Sequence, residues 1–218
     1  MRARALPAIL LILSMPLLAQ SAAAAPASQT HSSDIGFTYS IPSEWEVIDS
    51  APSVPAVQQQ AAQNAPTEDT KKGLACAQIA LTARHGTPPS LIVVVALPFA
   101  CFGQDITEWD LPSVAQGASE GIKKSFDVSN PTYGTYALGV HGVWIERVGG
   151  TLIGHPEVKR TLETVCSILK KGVVCWMAMT SDDAALQIFE HGTVTLDGDA
   201  PAALVPLTAF DKKPPSGF

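Results

Sequence analysis

RTLETVCSILKKGVVCWMAMT, residues 160–180, decides how the rest of the chain is read. Two apolar runs flank Lys170-Lys171-Gly172, and Cys166 and Cys175 stand at nearly equal distances from that turn, so folding the ribbon brings the two sulfurs together. Gly172 offers the positive φ that a three-residue hairpin loop needs at its last position, and the lysines keep the tip in water. If the loop is Lys170 and Lys171 alone, the cysteines fall in a directly opposed, non-hydrogen-bonded pair whose short Cα spacing suits a disulfide. A three-residue loop shifts this by one, and both registers stay open at this point. Val165, Ile168, Leu169, Val173, Val174, Trp176, Met177 and Met179 are too continuously apolar for a ribbon wetted on one face, so cover on both faces is expected. The alternative for the cysteines is a pair of buried free thiols serving as small hydrophobes.

The N-terminus tells which compartment those sulfurs meet. Arg2 and Arg4 precede an apolar run at residues 6–18 and a small-residue segment at 21–28, the layout of a signal peptide covering residues 1–27. Ala22-Ala23-Ala24 and Ala25-Pro26-Ala27 both fit the small-x-small rule, so the expected cut follows Ala24 or Ala27; a retained anchor is the minor alternative. The run is shorter than the ~20 residues of a spanning helix, and Pro7 and Pro16 weaken it further. Export to an oxidising compartment, periplasmic or extracellular, makes an even count of four cysteines read as two disulfides. The favoured pairing is Cys76 with Cys101 and Cys166 with Cys175, because each pair brackets one expected hairpin. Loop closure gives each bridge roughly 3 kcal/mol, large against a total stability of order 10 kcal/mol. Losing the leader removes two arginines and no acids, taking the net charge from −6 to −8. Nucleic acid and anionic membrane are therefore disfavoured partners.

In chain order, residues 35–41 alternate as a strand, and Pro42-Ser43 turns the chain toward a second short run at 45–48, making an N-terminal hairpin. Residues 51–72 shift to Pro, Ala, Gln and small polar residues and are read as a flexible Ala/Gln-rich insertion. Residues 74–84 and 91–99 form the next strand pair, and LIVVVAL at 91–97 is apolar enough for the middle of a sheet. Asp110 is placed to cap a helix with Pro112 in its first turn, and Leu111, Val114, Ala115, Ala118, Ile122 and Phe126 recur at helical spacing. Strands are expected at 133–138 and 143–148, the second broken by Gly149-Gly150; residues 152–169 run as one bent strand or two around His155-Pro156. Thr180-Ser181-Asp182-Asp183 then opens a second helix that Gly192 stops, before a last strand at 193–196. Residues 35–207 are thus one α+β domain, mainly antiparallel β-sheet with helices packed on it, and 208–218 are expected to be a disordered tail.

Gly36-Phe37-Thr38-Tyr39-Ser40-Ile41-Pro42-Ser43-Glu44-Trp45 resembles the start of domains in the PsbP, Mog and DcrB-like superfamily, where an aromatic-rich strand, a Pro and a Trp begin the first hairpin. The order of elements after it is also similar, and the resemblance covers residues 35–207. It implies an antiparallel sheet with helices on it and a family dominated by exported binding or accessory proteins. It implies no shared catalytic set. The Ala/Gln-rich insertion and the four cysteines depart from the pattern.

Chemistry outside that resemblance has weak signals. Gly117-Ala118-Ser119-Glu120-Gly121 matches the G-x-S-x-G string of serine hydrolases, but that string needs a strained strand-to-helix corner and here falls inside an expected helix. His31, His85, His141, His155 and His191 are scattered, with no two at a spacing that builds one site. The cysteines lack the C-x-x-C of zinc or redox motifs, and Asp182-Asp183 and Asp197-Gly198-Asp199 lack the alternating ligands of a calcium loop. Trp109, Trp144 and Trp176 are read as core or groove residues. No catalytic, cofactor or metal residue is assigned. The expected function is a non-enzymatic binding or accessory module for an envelope or extracellular protein or small ligand; the rivals are a small-substrate hydrolase and a thiol-disulfide active protein.

Overall fold

The computed structural model describes residues 29–32, 34–41, 43–49, 72, 75–102, 106–181 and 193–214. Strand β9 (His155–Leu169) turns through Lys170 and Lys171 into β10 (Gly172–Thr180), with Gly172 opposite Leu169 and Cys175 opposite Cys166. The two-residue loop is the register adopted. Cys166 and Cys175 are bonded with their Cα atoms 4.2 Å apart, the short separation of a directly opposed pair. Gly172 does not take the left-handed conformation expected of it; positive φ falls on Gly36, Gly86, Gly139, Gly154 and Gly198. What Gly172 supplies is room. A Cβ there would lie 2.5 Å from Leu97 O and 2.9 Å from Pro98 Cα, because β5 (Ser90–Pro98) runs directly alongside.

The ribbon sits inside a large antiparallel sheet. Its remaining strands are β3 (Glu46–Val47), β4 (Gln78–His85), β7 (Thr132–Leu138), β8 (His141–Leu152) and β12 (Leu204–Pro206), in the order β12-β7-β8-β9-β10-β5-β4-β3. Strand β6 (Phe126–Val128) pairs with the far end of β8. A small sheet, β1 (Gln29–Ser32), β2 (Phe37–Ile41) and β11 (Thr193–Leu196), has the order β1-β2-β11. Side chains alternate along each strand, so the ribbon feeds two cores. Val174, Trp176 and Ala178 join Phe37, Tyr39, Ile41 and Leu196 of the small sheet, with Phe37 edge-on to Trp176 at 4.9 Å. Val173, Cys166 and Cys175 point the other way, toward Trp144 and toward Leu111 and Ala115 of helix α1 (Leu111–Lys123).

Helix α1 forms where Leu111, Ala115 and Ser119 recur every fourth residue and bury one face. Asp110 serves its start differently from the expected cap. Its carboxylate accepts the Thr107 N–H at 2.8 Å and the Thr107 hydroxyl at 2.9 Å, closing a 3-10 turn at Glu108–Asp110 that leads into the helix. These bonds, the backbone one first, hold the Asp110 carboxyl below its usual range.

Residues 35–41 and 45–48 are not a hairpin: β2 joins the small sheet and β3 pairs with β4 of the large one, and the turn at residues 43–45 precedes β3. Gly149-Gly150 does not end a strand, since β8 runs through to Leu152 and turns at Ile153-Gly154. The glycines admit β6 instead: a Cβ on Gly150 would lie 3.0 Å from Asp127 O, and one on Gly149 3.3 Å from Ser129 Oγ. Leu152 consequently belongs to the strand before the turn, and β9 starts at His155. The segment from 208 is not a free tail as far as Asp211. Tyr133 and Asp211 exchange both backbone hydrogen bonds at 2.7 and 3.0 Å, Thr208 Oγ1 accepts the Thr135 N–H at 2.9 Å, and Phe210 lies under the Arg147 guanidinium at 4.0 Å. The outer edge of β7 supplies those backbone groups, which would otherwise be left unpaired. The leader, the insertion at 51–71 and the second helix at 182–192 lie outside the described residues.

Gly172→Ala is expected to destabilise the fold by roughly 1–3 kcal/mol through overpacking against β5. The check is a urea titration, read as a lower midpoint at unchanged slope.

Candidate functional site

Between helix and sheet, the apolar face of α1 ends in polar chemistry. Ser119 and Lys123 lie one turn apart on α1 and meet Glu146, which β8 projects toward the helix two residues beyond Trp144. Ser119 Oγ is 3.1 Å from Glu146 Oε2 and 3.1 Å from the Gln116 carbonyl oxygen. Lys123 Nζ donates to both Glu146 oxygens, at 2.8 and 3.0 Å. Ser119 is fully buried and the Glu146 side chain is 5 % exposed. Tyr133 stands opposite Glu146 on β7 with its ring 5.6 Å from Trp144; desolvation, then the Glu146 charge, raises its hydroxyl above the ordinary range. The carboxylate is thus paired with the Lys123 ammonium and accepts a hydrogen bond from the Ser119 hydroxyl inside the molecule, and the serine, fully buried, presents no face to a substrate.

A second buried acid lies on the opposite face of the same strands. Glu163 is fully buried and takes the Arg147 guanidinium, with Nε to Oε2 at 2.7 Å, while Phe210 covers that guanidinium. Neither acid was singled out in the sequence. The signal available was Glu146-Arg147 set inside the apolar run around Trp144, where charge is costly unless paired.

The residues weighed from the sequence are dispersed. Cys76 and Cys101 are bonded with Cα atoms 5.4 Å apart, at the end of the β4–β5 hairpin away from its turn. The His85 ring lies tilted against Trp45 with centroids 5.4 Å apart, His141 Nε2 is 3.0 Å from Asp199 Oδ2, and His155 Nδ1 is 3.3 Å from Glu157 Oε1. His31 lies on β1, and His191 and Asp182-Asp183 lie outside the described residues. Asp197 accepts the Lys170 N–H with both oxygens at 3.1 Å, tying the small sheet to the ribbon's turn. Among the described residues no three His, Cys, Asp or Glu side chains converge as a metal site, and no helix is long and apolar enough to cross a membrane. Trp144 and Trp176 are core residues as expected, whereas Trp109 is 73 % exposed on the turn before α1.

Beyond the end of α1 a cavity of about 10 Å³, room for one water, is lined by Lys123, Phe126, Val148, Leu162 and Met179 among others. A shallow, open groove follows it along Phe126, Thr151, Leu152 and Pro156.

Lys123→Met leaves Glu146 charged and buried without its cation, and is expected to cost roughly 3–5 kcal/mol. The double variant Lys123→Met with Glu146→Leu removes both charges and is expected to recover most of that loss. Chemical denaturation of the single and double variants checks both values.

No known family profile matches the chain, and no curated protein does either. Among solved structures, the chain is similar to cyanobacterial PsbP (CyanoP) from Synechocystis sp. PCC 6803, with 11 % identity and a TM-score of 0.45 over 79 % of this chain and 91 % of that one. It is also similar to LpqN of Mycobacterium tuberculosis, described as involved in cell envelope biogenesis, with 16 % identity and a TM-score of 0.38 over 77 % of this chain and 90 % of that one.

Proposed function

We propose that the chain is an exported, non-enzymatic binding or accessory module of the periplasm or extracellular space, meeting its ligand or partner through its surface. The observation that carries this reading is the closed Ser119–Glu146–Lys123 cluster, in which the one serine set in a hydrolase-like string is fully buried and bonded to an acid. An exposed nucleophile on a strained corner would be needed for acyl transfer. The cysteines are all in disulfides, which supports a stapled scaffold suited to an oxidising compartment.

The test is labelling of the mature protein with a fluorophosphonate serine probe, alongside turnover of nitrophenyl esters by the protein and its Ser119→Ala variant. Ser119 is expected to stay unlabelled, with the two proteins indistinguishable. Labelling of Ser119, or turnover lost in the variant, would overturn the non-enzymatic reading in favour of the hydrolase.

A further inference from the structure

The two disulfides differ in access and in what they hold. Cys166 and Cys175 are fully buried between α1 and the sheet, in the middle of paired strands. Cys76 and Cys101 are each partly exposed, and the 3-10 turn Phe99–Cys101 that carries the second contains no buried residue. That turn is otherwise tied by the Phe99 N–H to Lys171 O at 3.0 Å. Phe99 and Phe102, on either side of Cys101, pack over the edge of the cluster formed by Leu111, Trp144 and Val173. Cys76 leads into β4, whose first residues pair with β5 through a register irregularity between Ile79 and Leu81, while β3 reaches only Ala83 and Arg84. The bond therefore pins a partly exposed turn to the start of β4, and its two cysteines belong to neither buried cluster.

We propose that Cys76–Cys101 is a reversible latch, opened by exchange with an external dithiol, while Cys166–Cys175 is a permanent staple. One thiolate of the dithiol attacks a latch sulfur and expels the other as a thiolate, which takes a proton. The dithiol's second thiolate then attacks the mixed disulfide and releases the remaining cysteine. The protein gains two electrons and two protons and the dithiol becomes a disulfide. Opening frees Phe99 and Phe102 to leave the helix-side core and loosens the first residues of β4, so apolar surface and a strand edge become available only in the reduced form. The staple stays closed in the folded protein because no attacking sulfur can align with its buried bond.

The test uses the oxidised mature chain, titrated with dithiothreitol under native conditions, quenched with iodoacetamide and mapped by peptide mass. Alkylation is expected at Cys76 and Cys101 alone, with faster amide exchange confined to residues 77–80 and 99–102. Three results would overturn the proposal: no alkylation short of global unfolding, alkylation of Cys166 and Cys175 at the same reductant concentration, or alkylation of the latch with unchanged exchange. The Cys76→Ser, Cys101→Ser double variant should reproduce the reduced exchange pattern without reductant; if it fails to fold, the titration on the unaltered chain decides.

Discussion

A β-ribbon that is dry on both faces must fix its register by something other than hydrophobic alternation. When one face of a strand meets water, a one-residue slip exposes the apolar set and is rejected. Along 172–178 every residue of β10 is buried, so that penalty is weak here. Three specific contacts choose instead. Cys166 and Cys175 bond only when opposed, Gly172 alone fits against Leu97 and Pro98, and Glu163 must lie on the face where Arg147 waits. Once these are satisfied, Trp176 is aimed at the small sheet and Val173 at the helix, and both cores follow from one strand.

Both buried acids sit on strands flanking that ribbon or within it, and each is answered by a cation from a neighbouring element. Lys123 comes down from α1 to Glu146, and Arg147 crosses from β8 to Glu163. Buried pairs of this kind add little net stability, since desolvation offsets their attraction, but a mispaired arrangement leaves a charge without a partner. The Lys123–Glu146 pair favours one docking of helix on sheet, and the Arg147–Glu163 pair favours one register of β8 on β9. The same cluster that fixes the helix also encloses Ser119, which is why a hydrolase-like string here serves architecture.

How far the sequence carried follows the same physics. The ribbon, the interior position of β5, the helix that begins at Leu111 and the last strand at 193–196 were legible because continuous apolar runs, helical spacing and turn residues coincide there, although Phe126, at helical spacing in the sequence, lies on β6. Glycine was the recurrent source of error. Gly149-Gly150 reads locally as a strand break and Gly172 as a positive-φ turn residue, yet Gly150 and Gly172 mark places where another strand approaches too closely for a side chain, and Gly149 faces the Ser129 hydroxyl. That information is non-local, and no window of sequence contains it. Partner choice failed for the same reason: residues 35–41 and 45–48 look like a hairpin locally, yet each has a better partner far along the chain. The helix–sheet cluster was missed because Ser119 and Lys123 are separated from Glu146 by more than twenty residues, and only the packed structure joins them.

The β9–β10 ribbon is the wall shared by both cores, so it opens only when the whole domain does. Native-state hydrogen exchange as a function of denaturant tests this most directly. The amides of Val165, Ser167, Val174 and Trp176 should exchange solely through global unfolding and be the slowest in the chain. If those amides exchange through a smaller opening while α1 or the small sheet stays protected, the ribbon is not the element on which the fold depends.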